Sequence, residues 1–166
     1  MLGTFSPASA LGIWAEPYAG YEFGDREQNN SSYDASGINL GFRLGATNSS
    51  MFFGVEYALS NINIDQPGTD DEIKTTDLGA FFGLNFSMAR LWLTYWLDSE
   101  GASDYANGTY SGSGGYKIGC GFKLFSSASL NFEKTHRNWS ELEGSNLNQN
   151  ITIDAVMVSL SLPLTF

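Results

Sequence analysis

Residues 156–166 read VMVSLSLPLTF. Val156, Val158, Leu160, Leu162, Leu164 and Phe166 share one parity, while Met157, Ser159, Ser161, Pro163 and Thr165 take the other. A period of two marks a strand with one apolar face and one small or polar face. Whether that apolar face turns into a core or out into lipid decides what kind of protein this is.

The same alternation recurs along the chain. It predicts strands near 11–24, 35–46, 51–63, 74–87, 89–98, 113–125, 128–140 and 151–166. Short connections at 46–50, 87–89 and 125–128 alternate with longer acidic ones at 25–34, 64–73, 98–112 and 141–150. Short turns on one rim and long loops on the other are the pattern of an eight-stranded antiparallel up-and-down barrel, with both termini on the short-turn rim. Residues 1–10 are read as an N-terminal segment and 11–166 as one barrel domain. About five apolar residues per strand is the length a tilted strand needs to cross a bilayer core.

Composition narrows the function classes. The 166 residues carry a formal charge of −10, which argues against nucleic acid, because phosphate binding needs clustered Lys and Arg. No run of 18 apolar residues exists to make a spanning helix. The single cysteine, Cys120, has no partner for an internal disulfide. The opening residues MLGTFSPASALG lack a basic start and a long apolar run, so the expectation is a mature form with Met1 added.

The face opposite the apolar one is more informative. Twelve strand glycines fall on it, among them Gly20, Gly41, Gly54, Gly83 and Gly119. Small residues on one face suit a narrow eight-stranded lumen, where side chains converge from all sides. Five acids (Glu16, Glu22, Glu56, Asp77, Glu133) and five bases (Arg43, Arg90, Lys117, Lys123, Arg137) have the same parity. Unpaired buried charge costs several kcal/mol per ion, so a balanced set fits an interior. Trp92 and Trp96 share that parity on the fifth strand, which is apolar on both faces and therefore the hardest to orient.

With these features the sequence resembles a Gram-negative outer-membrane β-barrel, closest in layout to the eight-stranded membrane domain of the outer-membrane protein A family. The resemblance covers almost the whole chain and rests on pattern. Its most specific part is the ending: Val158, Leu160, Leu162, Leu164 and Phe166 are similar to the signal read by the barrel assembly machinery. It implies an outer-membrane location with acidic loops outside and termini in the periplasm. Contact with membrane lipids and lipopolysaccharide follows, as does a lumen plugged by its charge network. It implies no cofactor and no metal. DQPGTDDEIK (65–74) clusters acids without the spacing of a calcium loop.

Three strands that closure makes neighbours interrupt the apolar exterior. The first carries Ala15, Pro17 and Ala19, the seventh Lys134, His136 and Asn138, and the eighth Asp154. Two readings remain open. Either the charged residues lie high enough to snorkel to headgroups, or the wall meets another protein surface, giving a homo-oligomer. Small outer-membrane barrels also include lipid A deacylases, which place a His two residues from a catalytic Ser. Here the only histidine, His136, faces Asn138 at that spacing, so the expectation is not an enzyme. The primary expectation is a structural envelope role. A surface adhesin or receptor using the acidic loops is the alternative, followed by a narrow pore, and a soluble carrier with its apolar face inward is the remaining rival.

Overall fold

The computed structural model describes residues 11–28, 31–66, 69–125 and 127–166. The proposed N-terminal segment 1–10 lies outside them, as do Pro67 and Gly68 of the acidic cluster. Ten strands form among the described residues: β1 (Gly12–Gln28), β2 (Ser31–Thr47), β3 (Met51–Gln66), β4 (Thr69–Asn85), β5 (Ala89–Ser103), β6 (Gly108–Gly112), β7 (Tyr116–Phe125), β8 (Ala128–Leu142), β9 (Ser145–Ser161) and β10 (Leu164–Thr165). β6 and β7 are two pieces of one stave, both facing β5 and β8. β9 and β10 are two pieces of another, both pairing β1. The wall therefore has eight antiparallel staves, closed between β9–β10 and β1.

Closure carries a stagger. From Ile13 the register runs to Ala46, Phe53, Phe82, Leu93, Ile118, Lys134 and Val156, and returns to β1 at Phe23, ten residues along. For eight staves this stagger tilts the strands about 40° from the axis. Leu160 is 58% exposed and Leu93 52%, whereas Trp96, three residues along β5 from Leu93 and of opposite parity, is fully buried. The leucines and phenylalanines point out.

The ends differ. At the lower rim the staves join through tight turns. Asn48 accepts at Oδ1 from the backbone N–H of Ser50 (2.8 Å) and Met51 (2.9 Å), a side chain standing in for backbone at the turn. At the upper rim the long loops expected at 25–34, 64–73 and 141–150 are mostly strand. β8 and β9 meet through Glu143 and Gly144 alone, both at positive φ (50° and 71°), the geometry of a tight hairpin turn. The fifth strand likewise runs past residue 98, through a bulge at Leu97, to Ser103.

These extensions were hidden because their polarity is inverted. Up to Leu59, β3 places apolar residues outward; beyond it, Asn61, Asn63 and Asp65 point out and Ile62 and Ile64 point in. β9 does the same with Ile151 and Ile153 inside. Below this line the barrel is solvated by lipid, and above it by water.

Candidate functional site

The lumen is filled in layers. Lowest is an aromatic cluster of Trp14, Phe52, Phe81 and Trp92, with ring centroids 5.0–6.5 Å apart. Glycine makes the room: a Cβ on Gly119 would lie against the Trp92 ring, and one on Gly41 inside the Tyr18 ring.

Interleaved with it and extending above is a charge network of three acids and three bases, with Arg90 lying over the Trp14, Phe52 and Trp92 rings. Arg43 approaches Glu133 (2.5 Å), Glu56 (3.3 Å) and Glu16 (3.7 Å), and its guanidinium lies 4.5 Å from the rings of both Tyr18 and Trp92. Arg90 grips Glu16 with both terminal nitrogens and donates to Ser161 (3.0 Å). Lys117 donates to Glu56 (2.8 Å), which also accepts from the hydroxyls of Tyr18 and Thr94 (2.6 Å each). One step higher, Arg137 joins Asp77 (2.8 Å) and Glu22 (3.2 Å). The bulge at Leu97 switches the inward parity of β5, so that Ser99 donates to Asp77 (2.6 Å).

An apolar cap closes the top: Ile62, Ile64, Ile73, Tyr110, Trp139, Ile151 and Ile153 pack together in the upper barrel. Arg26 and Asp71 form a buried pair among these residues (2.9 Å), although Arg26 reads in the sequence as a loop residue. Its inward parity was the available signal; the strand boundary placed at 24 concealed it.

Nine of the ten predicted network residues are buried inward: Glu16, Glu22, Arg43, Glu56, Asp77, Arg90, Lys117, Glu133 and Arg137. Lys123 is not. A register shift between Lys123 and Phe125 ends β7, and the Lys123 side chain is exposed at the lower mouth. The predicted assembly-signal residues Val158, Leu160, Leu162, Leu164 and Phe166 all face outward along β9–β10.

The interrupted wall is also contiguous. β8, β9 and β1 are neighbours, with His136 opposite Asp154 and Ala19 opposite Leu160. His136 Nδ1 lies 3.1 Å from both Asp154 carboxylate oxygens, and its ring stacks on Tyr116. Asn138 lies two residues further along β8 and is half-buried.

A row of aspartates crosses the outer face just above the apolar band: Asp154 opposes Asp25, Asp25 opposes Asp34, and Asp34 opposes Asp65. Like charges directly opposite destabilise a sheet. Asp34→Asn is expected to raise the unfolding free energy by about 0.2–1 kcal/mol, read as a shift in the urea midpoint. The gain shrinks in high salt, because exposed charges are screened.

No protein-family model matches this chain, and no curated protein matches it. Solved structures do. Ail, the attachment invasion locus protein of Yersinia pestis, crystallised with the heparin analogue sucrose octasulfate, superposes with a TM-score of 0.62 at 12% identity, over 92% of this chain and 99% of that one. Neisserial surface protein A superposes with a TM-score of 0.61 at 12% identity, over 93% of this chain and 97% of that one. At such identity the likeness is one of fold, and the chain has the fold of the eight-stranded transmembrane barrels of Gram-negative outer membranes.

Proposed function

We propose that this protein is a closed outer-membrane barrel with a structural envelope role, which acts through its outer surfaces and conducts nothing. The observation that carries this reading is the filled lumen: aromatic rings, compensated charge network and apolar cap occupy it above an open lower mouth. Eight staves leave space only for side chains. Planar-bilayer recordings of the reconstituted chain are expected to show no discrete current steps, and steady steps from the wild type would overturn the reading.

The same reading puts the acidic rim outside and the tight turns in the periplasm, the usual arrangement of such barrels. A cysteine at Glu143, in a Cys120→Ala background, is then labelled by a membrane-impermeant maleimide on intact cells, and a cysteine at Ser49 is not. The reverse pattern would invert the orientation.

The acidic rim favours one second reading, surface contact. Ail was crystallised with a polyanion; here Asp25, Asp34, Asp65 and Asp154 carry the same sign as that ligand and would repel it. A surface-contact role for this chain therefore calls for a cationic partner, or for divalent cations bridging to lipopolysaccharide phosphates.

A further inference from the structure

The lower half of the β8–β9–β1 wall differs from the rest of the lipid-facing surface. Elsewhere the outward side chains at this depth are mainly Leu, Phe, Tyr and Val. Here Pro17, Ala19 and Ala128, bordered by Leu124, Phe125 and Leu160, leave an apolar groove of about 520 Å³ open on the outside. The backbone beneath it is also thinned. Leu162 N–H donates to the Pro17 carbonyl (3.0 Å), but Pro17 has no N–H to return to Leu162, so the closing seam keeps one bond where a ladder pair has two.

Charge on the same wall is unbalanced in a directional way. Lys134 is exposed on the lipid side between Ile118 and Val156 and has no ion pair among the described residues. One outward position higher, Asp154 contacts His136 and stands opposite the like-charged Asp25. A free cation therefore lies just below a surplus of anions, on one face, beside an apolar depression.

We propose that this wall is the interface with a second copy of the chain, in a two-fold dimer whose axis runs along the membrane normal. Such an axis sets equal heights of the two copies against each other. Lys134 of each copy then rises to the Asp25–Asp154 pair of the other, and the small residues allow the two walls close approach where lipid chains would pack poorly. An acyl chain would fill the groove equally well but would supply no carboxylate for Lys134; that selects a second copy as occupant. The inference stands apart from the closed-lumen and acidic-rim readings, since the bilayer currents do not depend on it.

The test uses the full chain in phosphatidylcholine–phosphatidylglycerol vesicles, with folding checked by heat-modifiable gel mobility. In a Cys120→Ala background, oxidative crosslinking through Leu160→Cys is expected to exceed that through Val55→Cys, on the distant β3, by about ten-fold, the ratio produced by about 1.4 kcal/mol. Adding Lys134→Asp to the Leu160→Cys chain should lower the yield by a similar factor, and Asp154→Lys on top should restore it. If Lys134→Asp does not fold, Lys134→Met must show the same loss. Equal crosslinking at positions 160 and 55, a monomer mass at every lipid ratio, or a yield indifferent to Lys134 would each overturn the dimer.

Discussion

Arg43→Met is expected to lower the unfolding free energy of the barrel by about 3–5 kcal/mol. Arg43 is fully buried, with Glu16, Glu56 and Glu133 all within 3.7 Å. Methionine fills part of the space between the Tyr18 and Trp92 rings but leaves three carboxylates facing one another, with only Arg90 and Lys117 to oppose them. Breaking a buried ion pair costs far more than replacing it whole, because the abandoned charge cannot reach water. The double variant Arg43→Met/Glu133→Gln, which removes a charge of each sign, should therefore recover a substantial part of the loss. Urea titrations in vesicles, followed by tryptophan fluorescence and gel mobility, give both numbers. A loss under about 1 kcal/mol, the size seen for exposed pairs, would mean that solvent reaches the network, and the closed-lumen reading would fail with it.

Two adjacent substitutions should have opposite outcomes. Gly119→Leu drives a branched side chain into the Trp92 ring, which is itself held against Phe52. Overpacking of this kind typically costs 1–3 kcal/mol, and more where the neighbour cannot move. Trp92 is closed in on both sides, so the expected result is little or no heat-resistant folded species. Cys120→Leu, one residue on and facing lipid, should stay within about 0.5 kcal/mol of wild type. A carrier with its apolar face inside would give the reverse: tolerance at 119 and disruption at 120.

How far these faces could be read from the chain depended on the solvent each stretch meets. In lipid, outward Leu, Phe and Val alternate with inward Gly and compensated charge, so parity alone placed Glu56, Arg90 and Lys117 in the lumen. Above the membrane the same strands continue in water, apolar residues move inside, and the alternation changes sign at positions such as Leu59 and Asn61. Strands assigned by an outward apolar face therefore stop there, which is why Arg26 and Asp71 were absent from the predicted network and why tall hairpins read as loops. Lys123 failed for a different reason. It has the correct parity, but the register shift at the end of β7 leaves it beyond the packed lumen.

The sequence by itself determined that the chain is an eight-staved barrel with its oily side outward, because a two-residue period, a glycine face and balanced inward charge are local properties of each strand. Only the tertiary structure decided the stagger of ten, the cap of isoleucines over the charge network and the partners within it. Those depend on which residues closure brings across the lumen from strands far apart in the chain, and no single strand's pattern carries that information.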